Sequence, residues 1–131
     1  MLQDTRTLVL IADERHVRFL EEPRRAGPLL ERPEWSAGLV AMPGHGAHAA
    51  HAPEADHRQI DVIAKRVDEL LVHAKFDSLI IIAPPRALGA LRKALGPQSM
   101  SKLIASDPHE RVAETNERLR EVVRHLRLAT A

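Results

Sequence analysis

Leu8-Val9-Leu10-Ile11-Ala12 is a short apolar run with no polar alternation, the pattern of a strand covered on both faces in the middle of a sheet. The polar tetrad Asp13-Glu14-Arg15-His16 interrupts it and Val17-Arg18-Phe19-Leu20-Glu21 resumes, so the opening predicts a β-hairpin. Pro23 to Pro28, with Gly27, forms the next turn. Leu29 to Ser36 is expected as a third antiparallel strand, confined to an edge because Pro33 lacks a ladder donor. Residues 38–55 are rich in Gly, Ala, His and Pro without an apolar period, and a mobile loop is expected there.

Beyond it, Ile60, Ile63, Ala64, Val67, Leu70, Leu71 and Ala74 recur at helical spacing, predicting an amphipathic helix from about Asp56 to Ala74. Ser78 to Ala83 is almost wholly apolar, as a central parallel strand must be. Pro84-Pro85 stops it, and Pro85 fits the first turn of a helix whose buried stripe is Leu88, Leu91 and Leu95, ended by Gly96-Pro97. Met100 to Ala105 reads as a short last strand. Asp107-Pro108-His109-Glu110 has the form of a capping box, and predicts a final helix with Val112, Leu119, Val122, Val123 and Leu126 on its inner side. A meander of three strands followed by helix, strand, helix, strand, helix gives an α/β fold. We expect a three-layer, mixed five-stranded sheet in the order 3-2-1-4-5 with helices on both faces, a ribonuclease-H-like architecture.

Composition narrows the classes. A chain of 131 residues, 44% hydrophobic and 28% charged, reads as one globular domain over 1–131. Nineteen basic and eighteen acidic residues balance to +1, so a strong uniform field for nucleic acid is excluded and any basic surface is local. The absence of cysteine removes disulfides, thiolate zinc sites and a cysteine nucleophile. Met1 to Arg6 carries charge at once and only Leu8 to Ala12 is apolar before Asp13, so these residues are not expected to act as a signal peptide. No apolar run approaches the ~20 residues of a membrane span, and a cytoplasmic location is expected.

Two segments resemble one family. Ala12-Asp13-Glu14-Arg15-His16-Val17-Arg18-Phe19 is similar to an Ala-Asp-x-x-x-Ala-Arg-aromatic opening, with Val17 in place of alanine. Asp77-Ser78-Leu79-Ile80-Ile81-Ile82-Ala83-Pro84-Pro85-Arg86-Ala87-Leu88-Gly89-Ala90-Leu91-Arg92 resembles an apolar strand running into Ala-Pro-Pro-Arg-x-Leu-Gly-x-Leu-Arg. Both belong to the bacterial host-attachment proteins, and the resemblance spans residues 5 to 105. It implies a relationship to the middle domain of archaeal and eukaryotic peptide release factors, where a Gly-Gly-Gln loop before the long helix promotes peptidyl-tRNA hydrolysis. The matching Pro43-Gly44-His45-Gly46-Ala47-His48 lacks that tripeptide, and Gln59 lies within the helix start. The family's usual Lys-Asp-Leu-Thr ending is replaced by Ala105-Ser106-Asp107-Pro108.

The candidate site residues follow from these placements. Asp13, at the end of the first strand, stands where related nucleases hold a metal-binding carboxylate. Two-metal chemistry needs several acids, and Ala83-Pro84-Pro85-Arg86 supplies none, so a turn aspartate accepting backbone N–H bonds is the favoured reading. Arg18 alternates with Val17 and Phe19 and pairs with Asp13 or with Glu31 across the hairpin. Arg86 sits at the C-terminal end of a parallel strand, where open α/β sheets place ligands. With Arg92, Lys93 and Lys102 it makes a stretch of +4 free of acids, for which phosphate or RNA contact and a plain solvated face are the alternatives. Phe19, Trp35 and Phe76 are the whole aromatic complement and offer no evident stacking platform for single-stranded bases.

His45, His48, His51 and His57 cluster in or beside the 38–55 loop, and neutral imidazoles ligate zinc, nickel or copper. Flexible Gly and Ala between them argue against a fixed shell. The acids and bases of the terminal helix make a solvent face. No nucleophile elbow or phosphate loop is present, and no cofactor is called for. The sequence is therefore read as a non-enzymatic, release-factor-like binding domain with ribosomal RNA or a ribosome-associated protein as partner. Two alternatives remain: a peptidyl-tRNA or other ester hydrolase using His45, His48 or His57, and a surface-attachment or stress-response factor.

Overall fold

The computed structural model describes residues 5–13, 15–37, 39 and 53–130, with the backbone alone at 53–58 and 130. The chain runs β1 (Thr7–Ala12), β2 (Val17–Glu22), β3 (Leu30–Glu31), a 3-10 turn (Pro33–Ser36), α1 (Pro53–His73), β4 (Ser78–Ile82), α2 (Pro85–Ala94), α3 (Pro97–Lys102), β5 (Leu103–Asp107) and α4 (Asn116–Thr130). The five-stranded sheet has the order β3-β2-β1-β4-β5, as the sequence pattern predicts. β1 pairs antiparallel with β2, placing Ile11 opposite Arg18, and parallel with β4, placing Ile11 opposite Ile82.

Both apolar runs take the centre of the sheet because each face is covered, and every residue of β1 and of β4 is buried. Alternation divides their side chains between two cores. Leu8, Leu10, Leu79 and Ile81 meet Ile63, Val67 and Leu71 of α1 and Leu91 of α2. Val9, Ile11, Ile80 and Ile82 meet Leu119 and Val123 of α4. Each fully buried aliphatic side chain contributes roughly 1.5–3 kcal/mol, so these two strands anchor the loops that follow them.

Four boundaries differ from the sequence reading. The third strand, expected to span Leu29 to Ser36, pairs only at Leu30–Glu31, opposite Glu21 and Leu20. Pro33 then starts the 3-10 turn, whose fold places Trp35 edge-to-face on Phe76 at 5.6 Å, a contact that an extended strand would forgo. α1 begins at Pro53, inside the expected loop, because proline fits a first helical turn. The rest of that loop, residues 40–52, lies outside the described residues. The last strand is shifted from Met100–Ala105 to Leu103–Asp107, since Pro97 opens a short α3 held by Ser99 Oγ and Gly96 N donating to Asp68.

The largest shift concerns the final helix. Asp107 ends β5 instead of capping a helix, and α4 starts at Asn116, with Thr115 Oγ1 accepting the Arg118 N–H at 3.1 Å. The turn of α1 into β4 is a Schellman-type stop, in which Phe76 N donates to Leu71 O at 3.2 Å and Lys75 adopts φ 58°.

Candidate functional site

The C-terminal ends of β1, β4 and β5 lie on one edge of the sheet because the three strands run parallel. Asp13, the Pro84-Pro85-Arg86 segment and Asp107 therefore share that edge. No hydrogen bond or ion pair joins Asp13 to Arg86 among the described residues.

Asp13 is committed to its own turn. One carboxylate oxygen accepts the backbone N–H of Arg15 at 2.7 Å and of His16 at 2.5 Å, and the His16 ring Nδ1 lies 3.3 Å from both oxygens. The arrangement closes the hairpin and commits one of the two carboxylate oxygens to the turn.

Arg18 is used more completely. Its Nε and Nη2 grip Glu31 at 2.9 and 2.7 Å, Nη1 donates to the carbonyls of Val112 and Glu114 at 2.7 Å each, and Nη2 also donates to Asn116 Oδ1 at 2.8 Å. A guanidinium has five N–H bonds, and all are engaged. The expected Glu31 partnership is present. The sequence did not reveal that the same side chain also fixes the 112–116 segment, which leads into α4. Those hydrogen bonds from Arg18 hold the Glu31 carboxyl below the usual carboxylate value despite its burial.

Asp107, buried at the end of β5, accepts the ring of His109 and Arg111 Nε, the latter at 2.6 Å. Burial pushes its carboxyl up, but the bonds from His109 and Arg111 and the charge of Arg111 outweigh that effect and leave it below its ordinary value. Arg111 continues to Glu114 at 2.8 Å, Glu114 to Arg118 at 3.3 Å and Arg118 to Glu121 at 3.3 Å. This chain of alternating charges walls an open groove of about 380 Å³ beside α4, floored by Val122 and Leu126. Each of these charges meets an opposite one, and the His125 ring, with Nδ1 2.9 Å from Glu121 O, also lines the groove.

At the other end of the sheet, buried Glu21 is shared by Arg6 at 2.8 Å and Arg32 at 3.0 Å, while buried Glu22 meets Arg127 at 2.5 Å. Sequence reasoning passed over this pair, because two acids ending a strand look like solvent-facing residues until α4 and Arg32 close over them.

Arg86, Arg92 and Lys93 of α2 contrast with all of these. They are exposed and have no hydrogen-bond or ion-pair partner among the described residues, and the first turn of α2 contains no acid. Lys102, the fourth base of that stretch, is half-buried and donates to Phe76 O at 3.0 Å. His45, His48 and His51 lie outside the described residues, and His57 is placed on α1 by its backbone alone. Among the described residues no group of three or more His, Asp or Glu side chains is arranged to hold a metal ion.

The fold and these contacts define a mixed α/β protein with a helix-covered five-stranded sheet and a local unpaired cationic surface on one helix. The chain belongs to the family described as protein required for attachment to host cells, whose model matches residues 36–123. The Asp77 to Arg92 motif lies within that match and the Ala12 to Phe19 motif outside it. The matched stretch also reaches further toward the C-terminus than the resemblance over 5–105, taking in most of α4. No curated protein matches the chain, and no helix among the described residues is long and apolar enough to cross a membrane.

Proposed function

We propose that this chain is a non-enzymatic, one-domain binding protein of the cytoplasm, a release-factor-like accessory domain that docks on ribosomal RNA through α2. The observation that carries the reading is that Arg86, Arg92 and Lys93 lie together on one acid-free helix with no partner among the described residues, whereas the other cations without such a partner, such as Arg24, Arg25, Lys65 and Arg124, are spread over separate parts of the fold. A chain with a net charge of +1 has little general attraction for a polyanion, so an acid-free helix face concentrates what attraction there is. The mixed sheet and its strand order support the release-factor likeness.

The test is co-sedimentation of the full chain with ribosomes from lysate at low and moderate salt. The wild type is expected in the ribosomal fractions at low salt and the R86A/R92A/K93A variant in the supernatant. Each neutralised phosphate contributes about 0.7–0.9 to the logarithmic salt slope, so the variant's residual binding should fall less steeply with salt than the wild type's. Wild-type protein that stays in the soluble fractions at low salt overturns the reading. Attachment at a cell surface, the role in the family's description, is the second reading, and recovery of the native protein in the envelope fraction would favour it.

A further inference from the structure

Gly89 stands in the middle of α2 and is exposed, and a Cβ built on it meets nothing within 4 Å. The other two described glycines differ. A Cβ at Gly27 would come within 3.0 Å of Arg24 O, and one at Gly96 would meet the Asp68 carboxylate at 3.5 Å. Packing in the fold thus gives no reason for glycine at 89, while helix propensity opposes it, since glycine is the least favourable ordinary residue inside a helix. A bare backbone patch at a helix centre lets something outside the chain approach closely.

The neighbours identify what approaches. On a helix surface a residue is surrounded by those three and four positions away, which for Gly89 are Pro85, Arg86, Arg92 and Lys93, all exposed. Three of the four are the unpaired cations. Side chains on a helix lean toward its N-terminus, so Arg92 and Lys93 are the two cations whose stems run back toward Gly89, with the patch itself left open, while Arg86 stands one turn before it. Such a ring matches one tetrahedral phosphate resting on the backbone.

Phe19 and Phe76 are buried and half-buried Trp35 is packed on Phe76, so the described residues offer no exposed phenylalanine or tryptophan ring for stacking the bases of a single strand, and none of the exposed histidines His16, His73, His109 and His125 belongs to α2. A double-stranded backbone needs no such ring, because duplex RNA is recognised by shape and phosphate contact.

We infer that Gly89, ringed by Arg86, Arg92 and Lys93, is a seat for one phosphate of a duplex RNA backbone, which rests on the RNA-docking reading above and names the part of the RNA that α2 touches. The experiment measures binding of a labelled 20-base-pair RNA duplex, and of a single strand of the same length, to the full chain. The variants are Gly89→Ala, Gly89→Met and R86A/R92A/K93A, each followed also by thermal unfolding. Gly89→Ala should raise Tm by about 2–4 °C and yet weaken duplex binding about fivefold. Gly89→Met should weaken it at least tenfold with the fold intact. Duplex binding by both Gly89 variants at wild-type strength, while the triple variant fails to bind, overturns the phosphate seat and leaves RNA docking standing. Undiminished binding by the triple variant, or no binding by the wild type, overturns both. Single-strand binding equal to or tighter than duplex binding overturns the choice of duplex.

Discussion

Arg18 and Arg127, which hold α4 to one face of the sheet, give their donors to Glu31, Glu22, Thr7 and backbone carbonyls, whereas Arg86, Arg92 and Lys93 on the opposite face give theirs to no group among the described residues. Desolvation explains the difference. A guanidinium drawn against the sheet loses water and is tolerated only when acceptors replace it. One on an outer helix face keeps its hydration and needs none. The engaged arginines are thus part of how α4 is fixed, at its N-terminal end by Arg18 and at its C-terminal end by Arg127. The unengaged ones contribute nothing to the fold that another residue would not, so their charge is available to a partner.

Replacing Arg18 by alanine attacks the engaged side of this contrast. The change leaves the carbonyls of Val112 and Glu114 and the Asn116 side chain without their donor and Glu31 without its counter-ion. With the pair part-buried, the expected loss is about 2–4 kcal/mol, read as a lowered urea midpoint with little change in slope. Ribosome retention measured well below the variant's Tm should match the wild type. Unchanged stability together with lost retention would instead place Arg18 among the partner-facing cations.

A smaller effect should appear with acid. The folded carboxyls of Glu31 and Asp107 lie below their ordinary values of 4.5 and 3.8, Glu31 chiefly through its bonds with Arg18 and Asp107 through His109 and Arg111 against an opposing effect of burial. A depressed carboxyl contributes stability that is complete above its unfolded value and disappears as pH falls through the folded one. The urea midpoint should therefore decline once pH drops below about 4.5. Glu31→Gln should lower stability near neutrality and make this decline shallower. A Glu31→Gln profile parallel to the wild type would show that the Arg18 pair contributes nothing to the acid response.

Much of the sheet was legible because β1 and β4 are apolar on both faces, a pattern fixed by their central position, and the crossover rules then order the strands. The start of α4 was not. Asp107-Pro108-His109-Glu110 is locally indistinguishable from a helix cap, and what takes Asp107 away from that role is tertiary, namely its place in β5 opposite Ile82, with its carbonyl accepting the Ala83 N–H. The 112–116 segment is likewise set by Arg18, which is 96 residues from Glu114 in the chain. For the candidate site, the acid-free run from Arg86 to Lys102 is a local property that composition exposes. Which of its bases remain unpaired is a property of the fold. Lys102 is taken up by Phe76 O while Arg86, Arg92 and Lys93 are not, and Gly89 acquires meaning only once the space beyond its Cα is seen to be open.

The smallest expected change tests the other half of the contrast. Substituting alanine for Arg86, Arg92 and Lys93 together removes three charges, yet each side chain is exposed and without a partner in the fold, and alanine is the better helix former. Two opposing small terms follow. Arg92 and Lys93 lie in the last turn of α2, where positive charge favours the helix dipole by a few tenths of a kcal/mol, and the gain in propensity offsets it. Stability should stay within about 0.5 kcal/mol of the wild type, measured by urea unfolding at the salt used for sedimentation. A loss of 2 kcal/mol or more would mean that these cations are structural after all. These bases would then resemble Arg118 and Arg127 of α4, which are engaged by acids of the chain, and lost sedimentation by the variant would no longer speak for a bound polyanion.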